Sequence, residues 1–151
     1  MKIDVKRMSY FGAAFGTAIG MMIGLVIFSN IWRINYLPKE YDFIHEFGKA
    51  IVKTDKKIYT YIIRLIVGIF FHPIVFVFIW GREGLLKINL FNSDIISAVV
   101  LLLFESIMFS IAIWLDIVKI RPKTLKTRII ALQIGVHLLT GFLMGYFYTL
   151  I

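Results

Sequence analysis

Four apolar blocks, at about 8–32, 58–80, 94–118 and 129–151, dominate this sequence, and short polar stretches separate them. A helix needs roughly 20 apolar residues to cross the hydrocarbon of a bilayer. Each block meets that length, and what remains is too small to fold as a separate domain. The chain of 151 residues is 60% hydrophobic with a mean hydropathy of +0.85, whereas soluble domains run about 45–50% apolar. The expected fold is therefore all-α. It is an integral membrane four-helix bundle that makes one polytopic domain of residues 1–151. The first block is too long for a signal-peptide core and ends in Asn30-Ile-Trp-Arg, so it is expected to stay as a span.

Within the first block, Gly12, Gly16, Gly20 and Gly24 recur every fourth residue. On a helix such residues share one face. In water each glycine would cost a helix about 1 kcal/mol against alanine. In a bilayer, a face without side chains lets a second backbone approach closely. This helix is expected to be the spine against which the other segments pack. Gly141 and Gly145 repeat the pattern in the fourth block.

Between the first two blocks, Pro38 followed by Glu40 and Asp42 marks a helix start. Phe43, Ile44, Phe47, Ala50 and Ile51 then fall on one face. A short amphipathic helix at about 38–53, lying in the membrane interface, is expected there. His45 within it reads as solvated or facing headgroups. In the second block Pro73 is expected to kink the helix, because it cannot donate to the carbonyl of Ile69. The 81–93 segment is half apolar and is expected to lie on the membrane surface. Ser93 or Asp94 is positioned to cap the third helix.

The net charge of +8 would point to nucleic acid in a soluble chain. Here the basic residues flank apolar blocks, where they set topology, and no nucleic-acid partner is expected. Most lie in 33–57 and 119–128, which places those loops on the cytoplasmic side of a bacterial, archaeal or organellar membrane. Lys6 and Arg7 pull the other way. There are no cysteines, which excludes disulfides, thiolate metal sites and cysteine nucleophiles.

Ionisable residues inside apolar spans are rare and are usually paired or functional. His72, Glu105 and His137 lie at similar depth in their blocks. Each sits on the polar or small face of its helix, together with Gln133, so a midplane polar cluster is expected. Three readings follow. The leading one is a small accessory subunit without catalytic activity. It would dock through its glycine face onto other integral membrane subunits, or onto itself, within the lipid bilayer. A second is an ion or proton channel or transporter in which Glu105 is the protonatable group. A third is a b-type cytochrome subunit with His72 and His137 as axial haem ligands. A metal site of Glu105 with both histidines is not expected, because too few carboxylates converge and the helical Glu-x-x-His motif is missing. No phosphate-binding loop or nucleophile–base spacing supports an enzyme, a lipid-modifying one included.

Overall fold

The computed structural model describes residues 9–24, 56–117 and 123–150. The expected interfacial helix at 38–53, and His45 with it, lie outside the described residues. So do the ends of the first, third and fourth apolar blocks.

Among the described residues the chain is all helical, with four main helices and no strand. They are α1 (Ser9–Gly24), α2 (residues 57–80), α3 (Asp94–Trp114) and α4 (Lys126–Thr149). The helix α3 stops short of the expected limit at 118. Leu115–Ile117 form a turn, with Asp116 in the left-handed region at φ 60°. The helix α4 begins three residues earlier than its apolar block, on Lys126. Ser93 caps α3, its Oγ accepting from the N–H of Ile96 at 3.3 Å. Among the described residues two helices, α3 and α4, are long and apolar enough to cross a membrane.

The helix α2 carries the proline, and its backbone answers the missing N–H by widening. The chain is α-helical over Lys57–Ile66, π-helical over Val67–Phe71, α-helical over His72–Ile74 and π-helical over Val75–Trp80. A proline breaks one helical hydrogen bond and crowds the preceding turn. Wider turns on both sides absorb that defect. The torsions stay helical, with φ of −64°, −60° and −61° at Phe71, His72 and Val75. The helix is thus continuous through Pro73, with a π segment on either side.

Close approaches at glycine set the register. Along α1, Gly16 lies against the backbone of Leu143 and Met144, Gly20 against Thr140, and Gly24 against Val136. Each turn forward on α1 meets a turn backward on α4, so the pair is antiparallel. A Cβ on Gly20 would sit 2.6 Å from Thr140 Cα, closer than atoms can pack. On its other side α4 sets Gly141 against Ala98 and Val99, and Gly145 against Ile95. The small faces of α1 and α4 are therefore both filled from within the chain. Gly12 is also buried.

The helix α2 closes the ring. Gly68 receives the thioether of Met21, and Tyr10 meets Phe78 with ring centroids 6.0 Å apart. The indole N–H of Trp80 donates to the carbonyl of Ser97 at 3.0 Å. All four helices feed one apolar core of Ala13, Phe76, Val77, Ala98, Leu101, Leu102, Met144 and Tyr148. Sequence neighbours run antiparallel, so α2 and α4 run the same way across the diagonal.

Candidate functional site

One turn beyond that core, on the side away from Trp80, the bundle interior becomes polar. His72 follows directly on the first π segment of α2 and is 7% exposed. Its Nδ1 lies 2.5 Å from Oε2 of Glu105, in the middle of α3. The contact is short but poorly angled for a hydrogen bond, so it is an ion-pair contact rather than a linear N–H···O bond. The trans-bundle neighbour of His72 is His137, with ring centroids 5.7 Å apart and planes at 79°.

His137 is held by its own helix. Its Nδ1 lies 2.8 Å from the carbonyl oxygen of Gln133, one turn earlier. A carbonyl can only accept, so in the neutral ring the proton sits on Nδ1. The other ring nitrogen, Nε2, is then the unprotonated one. The amide of Gln133 donates across to the carbonyl of Ser106 at 3.5 Å, a long bond between α4 and α3. Ser110 donates to the same carbonyl at 2.7 Å. Thr140 is satisfied locally by the carbonyl of Val136 at 2.7 Å.

Several polar atoms in this region have no hydrogen-bond partner among the described residues. They are Oε1 of Glu105, Oγ of Ser106 and Oε1 of Gln133. Ser106 is fully buried and Gln133 is 1% exposed. Buried polar groups in folded proteins nearly always have partners, in protein or in ordered water. Two of these atoms are on consecutive residues of α3 and the third faces them from α4. Among the described residues, no group of three or more His, Cys, Asp or Glu is placed to hold a metal ion.

The four residues expected at the midplane, His72, Glu105, Gln133 and His137, come together in one cluster. The helix-packing glycines 16, 20 and 24 lie on α4, and 141 and 145 lie on α3, away from the outer surface. Ser106 is an addition that sequence reasoning misses, because it falls one position off the polar stripe of α3. The signal for it exists only in the pairing of α3 with α4, which sets it opposite Gln133. Arg82 has the sequence position of a topological charge, yet its Nε lies 3.4 Å from Oδ2 of Asp94, which is 5% exposed. Its guanidinium also covers the ring of Tyr148 at 5.9 Å. At the opposite end Lys126 pairs with Asp116 at 2.7 Å.

No protein-family model, curated protein or solved structure matches this chain.

Proposed function

We propose that this chain is an integral membrane four-helix bundle that carries protons through the Glu105–His72–His137 cluster. The observation that carries this reading is the buried contact between His72 Nδ1 and Glu105 Oε2, with unpartnered acceptor atoms beside it.

The membrane part of the proposal draws on the outer surface. Only 28% of the most apolar stretch of α3 is buried. Its outward side chains include Phe104, Ile107, Met108, Ile111 and Trp114, the last 74% exposed. Phe11, Phe15, Phe70 and Phe71 extend the same apolar surface over α1 and α2. Soluble monomers seldom expose contiguous apolar patches beyond a few hundred Å². Hydrocarbon is the solvent that such a surface suits.

Inside hydrocarbon, a lone charge at a helix centre costs about 2.5–3.5 kcal/mol on the insertion scale. One proton shared by Glu105 and His72 makes the pair neutral overall, whichever residue holds it. The reading gives Glu105 the exchangeable proton and His72 the role of making its charge tolerable. His137 is the neighbouring imidazole, with its orientation held by the Gln133 carbonyl. The two imidazoles lie side by side, edge to face. Haem ligation would need both rings to aim at one iron with a macrocycle between them, whereas here the rings meet edge to face.

The second reading, an accessory subunit of a larger membrane assembly, is supported by the same outer apolar surface. It would dock through the glycine face of α1, and that face here holds α4. For that reason we place it second.

The test is proton flux in liposomes that enclose a pH-sensitive dye, driven by a potassium diffusion potential. The wild-type chain is expected to acidify the lumen, and Glu105→Gln to abolish this while reconstituting equally well. Equal flux from both would remove Glu105 from the role. Absence of flux from the wild type, with stoichiometric co-purification of other membrane proteins, would favour the subunit reading.

A further inference from the structure

We infer that the 81–93 loop is a membrane anchor, with Leu85, Leu86 and Phe91 seated among lipid chains at the headgroup boundary of the bilayer. The inference rests on the membrane-spanning reading of α3, and not on proton movement.

The loop turns apolar side chains outward. Phe91 is 87% exposed and Leu85 80%, the two most exposed large apolar side chains among the described residues. Leu86 is exposed with them. Apolar side chains scattered singly over a surface are ordinary, but three on one short loop are not scattered.

The polar backbone is turned the other way. The N–H groups of Leu85, Leu86 and Ile88 donate to the carbonyls of Phe78, Ile79 and Trp80 at 2.9, 2.7 and 2.9 Å. Those carbonyls end α2 and have no partner further along the helix. The N–H of Leu90 donates to Oγ of Ser97, in the first turn of α3, at 2.8 Å. The loop therefore lies flat across the ends of α2 and α3 rather than projecting from them. Left-handed torsions at Lys87, Phe91 and Asn92, with φ of 50°, 53° and 55°, bend it to this path. Backbone that enters the apolar part of a bilayer must find its hydrogen bonds within the protein. The bonds to α2 and α3 supply them where the loop meets the helix ends.

The surroundings mark the level of the membrane boundary. Trp80, bonded through its indole N–H to Ser97, stands at this end with Tyr10 beside Phe78 and Tyr148 beside Arg82. Tryptophan and tyrosine concentrate at membrane interfaces. Phe78 and Ile79 in the last turn of α2, and Ile96 in the first turn of α3, belong to the exposed apolar surface. Leu85 and Leu86 are bonded to Phe78 and Ile79, so their side chains continue that surface onto the loop. Arg82 and Lys87 are exposed on the same loop. Long basic side chains reach from this level to headgroup phosphates. Glu83 sits at the bend of a turn closed by the Gly84 N–H on the Gly81 carbonyl at 2.8 Å, and is the point expected to stay in water.

The chain has no native cysteine, so a nitroxide on one introduced cysteine reports one site. The experiment uses the full-length protein in vesicles of phosphatidylcholine and phosphatidylglycerol. It reads collisions of the label with oxygen, which concentrates in lipid, against those with a nickel chelate, which stays in water. Leu85→Cys and Phe91→Cys carry the test, and both replace side chains outside the core. Met108→Cys, on the exposed face of α3, is the lipid reference, and Glu83→Cys is the water reference. Oxygen collisions are expected to exceed nickel collisions for Leu85→Cys and Phe91→Cys, as for Met108→Cys, with the ratio reversed for Glu83→Cys. A nickel-dominated ratio at either test site overturns the inference. So does a low collision rate with both reagents, which would mean that protein covers the loop. A nickel-dominated ratio for Met108→Cys would instead overturn the membrane-spanning reading beneath it.

Discussion

Nδ1 of His72, on the second helix, lies 2.5 Å from Oε2 of Glu105, in the middle of the third. The two residues are 33 positions apart in sequence and meet because α2 and α3 run antiparallel, with Trp80 fixed to Ser97 at the end of the same interface. The energetic consequence is asymmetric. Removing one partner of a buried ion pair costs about 3–5 kcal/mol, because it leaves the other charge uncompensated. His72→Ala is therefore expected to lower stability by that order. Glu105→Gln, which removes the charge and keeps the shape, is expected to cost much less. Thermal unfolding in detergent, followed by circular dichroism, checks the order. Equal losses would show that the contact contributes no pairing energy.

The glycines of α1 are expected to respond to alanine in a graded way. At Gly16 a methyl would collide with the carbonyl group of Leu143, and at Gly20 it would lie 2.6 Å from Thr140 Cα. Overpacking against backbone costs about 1–3 kcal/mol. At Gly24 the nearest atom is the Cγ1 of Val136 at 3.2 Å, the end of a side chain. There the gain in helix propensity, about 1 kcal/mol, is expected to offset the contact. Melting temperatures should fall for the first two variants and stay level or rise for Gly24→Ala. Three equal responses would mean that α1 does not use this face against α4.

Pro73→Ala restores the backbone N–H and removes the reason for the flanking π segments. A return to α-helical turns changes the rotation of the residues before position 73 relative to those after it. His72 then leaves Glu105, and the repaired helix offsets part of that lost pairing. The expected result is loss of proton flux with a melting temperature lowered by less than in His72→Ala. Retention of flux would mean that the π segments are held by packing rather than by the proline.

Phe91 occupies the left-handed region at φ 53°, with its ring 87% exposed. That conformation costs a non-glycine residue about 1–2 kcal/mol. Phe91→Gly is expected to raise stability by about 0.5–1 kcal/mol in detergent, after allowing for the added freedom of the unfolded chain. The same substitution measured in lipid bilayers should show a smaller gain if the ring contacts the membrane surface. A loss of stability in detergent would mean that the ring makes contacts that offset its strain.

Much of this arrangement is legible in the amino-acid sequence. Long apolar blocks, helix-period polar stripes and small residues at every fourth position are local patterns. Backbone geometry converts them into helices with defined faces. The helical elements, the shared depth of His72, Glu105 and His137, and the Ser93 cap all follow from such patterns. The end of α3 does not, because apolar character runs on through Ile117 and Val118 while the backbone turns at Asp116. The response to Pro73 does not either. A proline dictates that one hydrogen bond is lost, but whether the helix kinks or widens depends on what packs around it.

By itself, then, the sequence determined where the main helices of the described residues run and which faces are small, polar or apolar, because these depend on spacing along one chain. Only the tertiary structure decided what each face meets. Glycine faces accept any close neighbour of suitable shape, and here the register of α1 on α4 and of α4 on α3 assigned them to the chain's own helices. That same register turned Ser106 toward Gln133 and brought Arg82 to Asp94. Such pairings depend on distances between segments far apart in sequence, which no local pattern encodes.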